Sequence, residues 1–326
     1  MEQPAISVVI PYFQRDPGIL RRALASVMAQ RGIENVNVVV VDDASPVPAS
    51  AEIASLGGPS RFPVRVIRQP NGGPGAARNT ALDGVDPTTR YVAFLDSDDE
   101  WTADHLSNAV FALGRGSDVY FADLYQLNQS VSAFKRAGRI KPDDHPTIAG
   151  GADGLREFRG NMLVQIVTGN VIGTPTVVYD FNKFADLRFR PEYLNAGEDY
   201  LFWMDLAKRG ARFSFSIVPE VTCGAGVNVY TGSVWGTRQH FLRIHNEMRY
   251  RKVSLREYSL PKDARMHVRK KINELRIQAA SSFMHQLRHG TPPEMGLLLA
   301  HFRLDPISYF GGIPIAIFKK SRAGRL

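Results

Sequence analysis

Four acidic side chains follow one hydrophobic segment within five residues. The segment Tyr91–Leu95 has the length and composition of a buried β-strand, and Asp96, Asp98, Asp99 and Glu100 come directly after it. Carboxylates this close repel one another unless a cation or solvent screens them. Mg²⁺ and Mn²⁺ prefer oxygen ligands, and Mg²⁺ is usually held by one or two carboxylates together with substrate phosphates. The pattern favours a metal-phosphate site; the alternative is an acidic turn that caps the next helix.

Further charged residues occur at comparable positions. Asp42 and Asp43 end the apolar segment Val36–Val41, and the glycine-rich loop Gln69–Gly75 leads into Arg78 at a predicted helix start. In an open α/β sheet, the carboxyl ends of the strands line the crevice that binds ligands. A single crevice is therefore predicted to contain Asp42, Asp43, Arg78, Asp96 and Asp98.

Strands and helices must alternate to place these residues together. Segments with helical periodicity separate four apolar segments, which are Ile6–Ile10, Val36–Val41, Val64–Ile67 and Tyr91–Leu95. Continuous apolar segments are typical of parallel strands covered on both faces. This order predicts an α/β fold with a doubly wound, mostly parallel sheet. The first helix is predicted to begin at Asp16-Pro17, because these are favourable N-cap and N1 residues.

Two common phosphate-binding motifs do not fit the sequence. The dinucleotide fingerprint G-x-G-x-x-G belongs directly after the first strand, where this chain has Pro11–Gln14 instead, and no G-x-x-x-x-G-K-[ST] sequence occurs. The single cysteine, Cys223, excludes an internal disulfide and a thiolate metal cluster. The glycine-rich loop Gln69–Gly75 is therefore either without function or, because it leads into Arg78 at a helix start, part of the predicted metal-phosphate site.

Five sequence motifs, taken in order, resemble those of family 2 inverting glycosyltransferases with the A-type nucleotide-sugar fold. The resemblance covers residues 5 to about 225, and its motifs are Ser7–Tyr12, Val41–Ser45, Asn71–Asn79, Leu95–Asp99 and Gly197–Asp199. Two further segments resemble β-glucosyltransferases that extend lipid-linked exopolysaccharide repeats of the succinoglycan type. These segments are Pro17–Ser26 and Val41–Pro46.

The resemblance implies a binding site for the base and sugar of a UDP-sugar donor. It places two groups around the uracil ring, which are the main chain near Pro11 and Tyr12 and the carboxylate of Asp43. A carboxylate can accept a hydrogen bond from the imide N–H of uracil. Asp42 would be structural. Arg78 would either pair with Asp43 or neutralise the diphosphate.

The same resemblance implies roles for the D-x-D segment. Asp96 is expected on the ribose side, with Ser97 also in the donor site, and Asp98 on a Mn²⁺ or Mg²⁺ ion that bridges the two phosphates. No role follows for Asp99.

Catalysis is expected at the acidic pair Glu198 and Asp199. Members of the family use the second acid as the general base, which removes the proton of the acceptor hydroxyl while its oxygen attacks the anomeric carbon. One such displacement inverts the anomeric centre. Glu198 is the next candidate for the base, and the alternative role for both acids is to cap the helix that follows. The loop Thr168–Thr176 is expected near the acceptor.

The implied function is transfer of glucose from UDP-glucose onto a saccharide acceptor linked to a polyprenyl diphosphate, with a β-linkage. Trp235 and His240 are additional site candidates, His240 as a late metal ligand or as a structural residue. Two alternatives stay open. One is a sugar nucleotidyltransferase, which would carry a basic glycine-rich signature after the first strand, and the other is a non-catalytic polysaccharide- or membrane-binding protein.

The basic charge is concentrated near the C-terminus. Residues 238–326 contain 18 Lys and Arg against 6 Asp and Glu, whereas residues 1–237 contain 22 against 26, and the net charge is +8. Two parts are therefore predicted: a nucleotide-sugar-binding catalytic domain over 1–236 and a basic helical region over 237–326. Nucleic acid is not expected as a partner, because no recognition motif accompanies the basic residues.

The end of the chain resembles an interfacial anchor. Ile307–Phe318 is apolar but too short to span a bilayer, and it precedes four cations, Lys319, Lys320, Arg322 and Arg325. Packing of this segment on the catalytic domain is the alternative. Because neither a signal peptide nor a run of about 18 apolar residues is found, a cytoplasmic protein bound peripherally to the inner membrane is expected.

Overall fold

The chain divides into two compact units in the computed structural model, which describes residues 4–56, 60–193, 196–226 and 233–310. One unit comprises Met1–Leu194 and Glu198–Val227, and the other comprises Asn195–Gly197 and Asn228–Leu326. The domain boundary predicted after residue 236 falls nine residues beyond this division. Most of the predicted interfacial anchor, from residue 311 onward, lies outside the described residues.

The first unit contains a nine-stranded sheet. Its strands are β1 (Ala5–Tyr12), β2 (Val36–Asp42), β3 (Val64–Arg68), β4 (Thr89–Phe94), β5 (Glu100–Trp101), β6 (Val119–Tyr125), β7 (Leu155–Glu157), β8 (Val178–Asp180) and β9 (Phe213–Thr222). The order is β3-β2-β1-β4-β8-β6-β9-β5, with β7 paired to β9. All eight residues of β1 are buried, as expected for a central strand covered on both faces.

The α/β fold class is confirmed, and the parallel part of the sheet is the part that the apolar segments predict. Strands β3, β2, β1 and β4 are parallel neighbours. Beyond β4 the sheet is mixed, because β8 runs antiparallel to both β4 and β6, while β6 and β9 are parallel. The parallel half therefore brings the carboxyl ends of β1, β2 and β4 to one edge, which we call the carboxyl edge.

In the described residues of the first unit, seven α-helices lie between or after these strands. They are α1 (Ile19–Met28), α2 (Ala49–Ala54), α3 (Gly73–Asp83), α4 (His105–Gly114), α5 (Ala133–Ala137), α6 (Met162–Gly169) and α7 (Glu198–Lys208). Helices α3 and α7 begin with residues of the motifs named above. The chain therefore delivers the glycine-rich loop and the acidic pair to helix N-termini.

The predicted start of α1 is wrong by two residues. The helix begins at Ile19, and its N-cap residue is Gly18, whose φ of 85° is left-handed. Both carboxylate oxygens of Glu52 accept the Gly18 N–H at 2.8 Å. Asp16-Pro17 lies in the preceding turn, because this contact from α2 satisfies the helix end in place of a local cap.

A buried acid fastens β9 to the rest of the sheet. Glu220 is 2% exposed, and its carboxylate accepts hydrogen bonds from Tyr120 and Asn108 at 2.8 Å and contacts the His105 ring at 2.8 Å. A carboxylate removed from water needs such partners, since burying it unpaired is costly. The C-terminal part of β9 is thereby bonded to α4 and β6.

The second unit is helical in the part that the structure describes. Its helices are α8 (Arg238–Glu257), α9 (Lys262–Arg288), α10 (Met295–Leu304) and α11 (Ile307–Phe310). Apolar residues of α9 at helical spacing are buried, namely Val268, Ile272, Leu275 and Ala279, the stripe that the sequence predicts. Within residues 4–56, 60–193, 196–226 and 233–310, no helix combines the length and apolar character that crossing a bilayer requires.

Candidate active site

The carboxyl edge gathers the first motifs through backbone contacts. Tyr12 pairs with Asp42 in the β1–β2 register, and the Asp43 N–H donates to the Tyr12 carbonyl at 2.9 Å. Pro11 lies in β1 opposite Val41. Tyr12 is 1% exposed, and burial raises the pKa of its hydroxyl to about 12. Its side chain therefore belongs to the core, which leaves the main chain as the part of Tyr12 suited to a ligand.

Asp42 shapes the turn after β2. One of its oxygens accepts the Ser45 N–H at 2.8 Å, and the other accepts the Ala49 N–H at 2.9 Å, at the start of α2. Both bonds are local and buried. Asp42 thus has the structural role that the family resemblance implies.

Asp43 holds the glycine-rich loop. Its carboxylate accepts hydrogen bonds from the backbone N–H groups of Gly72 at 2.9 Å and Gly73 at 2.8 Å, and from the Gln69 side chain at 2.7 Å. The backbone of Gly73 has a φ of 81°, a conformation that favours glycine. Asp43 is 3% exposed, so this carboxylate fixes the loop that begins α3. Its predicted contact with uracil remains a prediction.

Arg78 joins the D-x-D segment to the acidic pair. Its guanidinium donates to Asp96 at 2.6 Å and lies 3.8 Å from the Glu198 carboxylate. It also stacks over the Phe189 ring, 5.3 Å from the centroid. Burial alone would lower the pKa of Arg78, but Asp96 and Glu198 raise it above its ordinary value. In this structure the ion pair of Arg78 is with Asp96 and Glu198, while Asp43 binds the loop.

Asp98 and Asp99 accept hydrogen bonds from a glycine-rich segment after β9. The Asp98 carboxylate accepts the Gly226 N–H at 2.9 Å, and the Asp99 carboxylate accepts the Gly224 N–H at 3.0 Å. Burial, with repulsion from Asp96, raises the pKa of Asp98 to about 6. Burial and both neighbouring acids raise the pKa of Asp99 to about 8. These carboxylates are therefore poorly solvated and repel one another, the situation that a cation relieves.

Only glycine fits where this segment meets Asp98. A Cβ atom added at Gly226 would lie 2.4 Å from the Asp98 Oδ2 atom, and one added at Gly224 would lie 1.8 Å from the Asp98 carbonyl oxygen. The glycines thus permit a close backbone approach. The lack of a side chain at Gly224 and Gly226 is what allows this segment to pack against Asp98.

Ser97 is buried between the two acids of the motif. It is 4% exposed, and its hydroxyl accepts a hydrogen bond from the Gln14 side chain at 3.0 Å. Gln14 also receives a hydrogen bond from Ser45 on its backbone carbonyl at 2.9 Å. Ser97 therefore ties the D-x-D segment to the loop after β1.

Glu198 and Asp199 open α7. Burial and repulsion from Asp199 raise the pKa of Glu198 to about 8, although Arg78 opposes the shift. Asp199 keeps partial contact with solvent, yet protein atoms crowd it on most sides, and this desolvation raises its pKa. The Asp199 carboxylate accepts the Tyr200 N–H at 2.8 Å and the Thr174 hydroxyl at 3.5 Å. A carboxylate with a raised pKa and an accessible edge suits a general base.

Trp235 and His240 belong to the second unit. Trp235 is 56% exposed, and its ring lies 4.5 Å from that of His285. The His240 ring is 3.4 Å from the Ser282 hydroxyl, and its backbone N–H donates to the Thr237 cap of α8. These contacts give both residues structural partners inside their own unit; their roles toward a ligand stay predictions.

A metal ion would rely on few protein ligands here. In the part of the chain that the structure describes, no three or more His, Cys, Asp or Glu side chains are grouped so that they could hold a metal ion. Mg²⁺ commonly needs only one or two carboxylates when a diphosphate completes its shell. Asp98, with the neighbouring Asp96, fits that requirement, because its carboxylate is desolvated beside another acid.

Four partners of the site were not identified from the sequence: Gln14, Gln69, Phe189 and Gly226. Each acts on a residue far away along the chain, such as Gly226 on Asp98. The available signal for Gly226 was its glycine-rich segment after the last strand. Thr174 lies in the loop that the resemblance places near the acceptor, but nothing singled it out within that loop.

Comparisons with known proteins agree on family and fold. The model of the family described as Glycosyl transferase family 2 matches residues 7–177. The chain is 33% identical over 326 residues to the succinoglycan biosynthesis protein ExoW of Rhizobium meliloti (strain 1021), which covers 97% of this chain and 99% of the relative.

Two solved structures share the fold over nearly the whole chain. The first is S. aureus TarS 1-349 in complex with UDP-GlcNAc, with a TM-score of 0.61, 20% identity, and coverage of 98% of this chain and 92% of the other. The second is mannosyltransferase PcManGT from Pyrobaculum calidifontis with GDP-Man and Mn²⁺, with a TM-score of 0.59, 16% identity, and coverage of 98% and 86%. At these identities the likeness shows the fold alone.

Proposed function

Because the chain belongs to glycosyl transferase family 2, we propose that it is an inverting hexosyltransferase that moves glucose from UDP-glucose onto a saccharide acceptor with a β-linkage. One observation carries the proposal. The buried Arg78 guanidinium connects Asp96 of the D-x-D segment with Glu198, which adjoins Asp199. Donor-binding and base-candidate motifs thus share one site.

The donor is held at the carboxyl edge. The loop that Asp43 fixes leads into the N-terminus of α3, where backbone N–H groups and the helix dipole favour an anion. Arg78, in the second turn of this helix, adds a cation without exposing it. The complexes of the two structural neighbours with nucleotide sugars support this class of donor.

Asp98 would hold a Mn²⁺ or Mg²⁺ ion beside the diphosphate, with Asp96 on the ribose side of the donor. When bound, the metal supplies positive charge that stabilises the leaving diphosphate. The mutual repulsion of the acids of the D-x-D segment and the Mn²⁺ complex of the mannosyltransferase support this assignment.

Asp199 acts as the general base. Its accessible carboxylate takes the proton of the acceptor hydroxyl as the hydroxyl oxygen attacks the anomeric carbon on the side opposite to UDP, which inverts that carbon. The bonds from Tyr200 and Thr174 fix its orientation. Glu198 lies against Arg78 and serves to position this cation.

The acceptor is a polyprenyl-diphosphate-linked exopolysaccharide repeat at the cytoplasmic face of the inner membrane. The name of the 33%-identical relative, a succinoglycan biosynthesis protein, supports an exopolysaccharide acceptor. The excess of cations after residue 237 supports contact with an anionic membrane surface.

A donor panel tests the proposed reaction. The full chain is incubated with UDP-glucose, UDP-galactose, UDP-GlcNAc or GDP-mannose, with Mn²⁺ and a membrane extract that contains lipid-linked saccharides. Release of UDP and a new β-glucosyl product are expected from UDP-glucose. Transfer from another donor would refute the glucose assignment. In a parallel incubation with added pyrophosphate, conversion of UDP-glucose to UTP and glucose 1-phosphate would indicate a nucleotidyltransferase.

The metal assignment is tested with Asp98→Asn. The amide keeps an oxygen for the Gly226 N–H but removes the charge, so the glycine segment stays in place. UDP affinity in Mn²⁺ should fall at least roughly tenfold, while affinity in EDTA should barely change. Equal affinity of the variant and the parent in Mn²⁺ would contradict the assignment.

A further inference from the structure

A basic cleft lies between α8 and α9 of the second unit and has no role in the proposed reaction. It measures about 380 Å³, a size within the range of small-molecule sites. Helix α8 contributes Lys252 and Leu255, and helix α9 contributes Arg269, Ile272, Asn273 and Arg276. Three of these six side chains are cations, and none is an acid.

A buried carboxylate fixes two of the three cations. Asp305 is 1% exposed, and Arg276 donates to both of its oxygens at 2.8 Å, while the Lys252 ammonium lies 2.7 Å from one of them. The Ser308 hydroxyl donates to the same carboxylate at 2.7 Å. Burial would raise the pKa of Asp305, but these donors hold it well below its usual range. The carboxylate therefore stays ionised and orients two cations toward the cleft.

The fixed cations keep donors for a ligand. Lys252 uses two of its three N–H groups, on Asp305 and on the Leu304 carbonyl, and Arg276 uses three of its five, on Asp305 and Asn273. The remaining N–H groups lie on side chains that line the cleft and whose conformations are already set. A ligand that they bind costs less side-chain entropy than one bound by mobile lysines.

Arg269 is the third cation, and it is not neutralised. It is exposed, and among the described residues its side chain has no ion pair or hydrogen bond. With Asp305 offsetting one of the three cations, the cleft carries two uncompensated positive charges. A carboxylate ligand would neutralise only one of them, whereas a diphosphate carries a negative charge on each phosphate and suits the arginine fork geometry.

We propose that this cleft binds a phosphate-bearing ligand, with a diphosphate group as its best fit. Two sources share that chemistry: a soluble or glycan-linked diphosphate, and the phosphate head group of an anionic lipid. If the ligand is the diphosphate of the acceptor, the assignment rests on the proposed function. Binding itself is independent of the donor chemistry at the carboxyl edge.

The test compares two charge reversals on neighbouring residues of α9. Arg269→Glu reverses a cation of the cleft, while Lys270→Glu makes the same change in net charge at an exposed residue that does not line it. Binding of inorganic pyrophosphate to the full chain is measured by calorimetry in EDTA. Arg269→Glu should weaken it at least roughly tenfold, and Lys270→Glu should change it less than threefold, because only Arg269 can bond the ligand directly.

A second arm distinguishes the sources. Both variants are sedimented with vesicles of phosphatidylcholine containing phosphatidylglycerol. If Arg269→Glu, but not Lys270→Glu, loses both pyrophosphate binding and vesicle binding, the ligand is a lipid head group. If Arg269→Glu loses pyrophosphate binding but still binds vesicles, the ligand is a diphosphate.

Three results would overturn the proposal. One is equal weakening in both variants, which would indicate unspecific charge attraction. Another is undiminished binding in Arg269→Glu, which would place the pyrophosphate elsewhere, including the donor site. The third is the absence of pyrophosphate binding by the parent. UDP affinity should be unchanged in both variants and serves as the control for the donor site. A failure of the proposed donor site would therefore be distinguished from a failure of the cleft proposal.

Discussion

Arg78 occupies an unusual electrostatic position, because a fully buried cation balances carboxylates from two motifs. It bonds Asp96 directly and lies near Glu198. A buried charge is costly unless it is paired and hydrogen-bonded, so removing either acid leaves Arg78 with a weaker set of partners. At the scale of single residues, this ion pair supports the proposed positioning role of Glu198, and Asp199 is the more exposed of the two acids.

This division of roles makes Asp199→Asn the informative substitution. The amide keeps the shape and an oxygen for the Tyr200 N–H but cannot take a proton. We expect transfer with saturating substrates to fall roughly 10²- to 10⁴-fold while UDP affinity barely moves. Calorimetry with UDP and rates with saturating donor and acceptor give the two quantities.

The two other outcomes have distinct meanings. Near-normal transfer by Asp199→Asn would favour the capping role, because Asn caps a helix about as well as Asp. Equal loss of UDP binding and of transfer would mean that Asp199 holds the donor site together. Glu198→Gln is the matched control, and it should weaken UDP binding as well as transfer, since it disturbs Arg78.

The sequence reveals the charged residues of the site but not all of their partners. Asp96, Asp98, Arg78 and Asp199 stand in local motifs, so their chemistry can be identified without a structure. The Asp98–Gly226 bond joins residues 128 positions apart along the chain, and no local pattern encodes it. The motif allows Arg78 either to pair with Asp43 or to neutralise the diphosphate, whereas its observed partners, Asp96 and Glu198, lie far along the chain.

The segment after β9 is the element whose packing most constrains the D-x-D segment. Gly226→Ala would put a Cβ atom 2.4 Å from the Asp98 Oδ2 atom, so the backbone must move and the hydrogen bond must lengthen. We expect a loss of about 1–3 kcal/mol in the free energy of unfolding, typical of overpacking, and weaker UDP binding in Mn²⁺. Chemical denaturation and calorimetry measure these effects.

Gly114→Ala provides the control for this substitution. The added Cβ atom there meets nothing within 4 Å, so UDP affinity should be unchanged. Stability should not fall, and it should rise by up to about 1 kcal/mol, because alanine is favoured over glycine in a helix. If Gly226→Ala behaves like Gly114→Ala, the close approach to Asp98 is not a constraint on the native structure.

A histidine pair links α8 to α10 and should make the second unit sensitive to acid. The Nδ1 atoms of His245 and His301 are 3.3 Å apart. Burial, aided by Arg249, lowers the pKa of His245 to about 4, and burial with His245 lowers that of His301 to about 4, with Asp305 opposing the shift. In the unfolded chain both would titrate near 6.5. Their contribution to stability is present above pH 6.5 and is lost as the pH falls through about 4, because the unfolded chain then binds more protons.

The measurement is the thermal midpoint of the second unit between pH 7.5 and 4.5, followed by circular dichroism. The double variant His245→Gln/His301→Gln should lose part of the slope, whereas His289→Gln, at an exposed histidine, should keep it. Carboxylates also titrate in this range. The histidine contribution is therefore taken from the difference in slope between the variants. Identical slopes in all three proteins would refute the histidine assignment.

Elements differ in how far local sequence determines them. Strands β1, β2 and β4 follow from apolar segments, because almost all of their residues are buried, as in parallel strands covered on both faces. Strand β3 lies at the edge of the sheet and is only partly buried, so its segment predicts it less strongly. The start of α1 does not follow, since Glu52 from a later helix satisfies the Gly18 N–H. The sequence also does not predict the antiparallel strand β8 between β4 and β6, because three residues are too few to show a periodic pattern.

At the scale of the whole molecule, the two parts of the chain differ in charge, with 18 Lys and Arg against 6 Asp and Glu in residues 238–326. The cations after residue 237 are spread over α8, α9 and the residues beyond the described part, so a membrane contact could involve either the helices or the chain end. The contacts of Asp305 determine where a deletion of the chain end can begin without disturbing the helices. Asp305 bonds Arg276 and Lys252, and its loss would leave these partly buried donors unpaired.

A deletion that tests the predicted anchor must therefore begin after α11. Removing residues 311–326 takes away four cations and most of the apolar segment Ile307–Phe318 but keeps Asp305 and Ser308. Each cation near an anionic bilayer contributes about 1 kcal/mol, so the truncated chain should leave phosphatidylglycerol vesicles at low salt and keep its UDP affinity. A deletion from residue 305 would confound this result with unfolding of the ion cluster.

A charge variant separates the electrostatic part of this contact from the apolar part. Replacing Lys319, Lys320, Arg322 and Arg325 by Gln keeps the segment up to Phe318 and removes the cations. If this variant binds vesicles more weakly and its binding no longer depends on salt, the electrostatic part of the membrane affinity comes from these four residues. Full binding by the truncated chain, with loss in Arg269→Glu, would move the membrane contact to the basic cleft. If the parent ignores anionic vesicles at low salt, the anchor hypothesis is wrong, and the apolar segment is then expected to pack against protein.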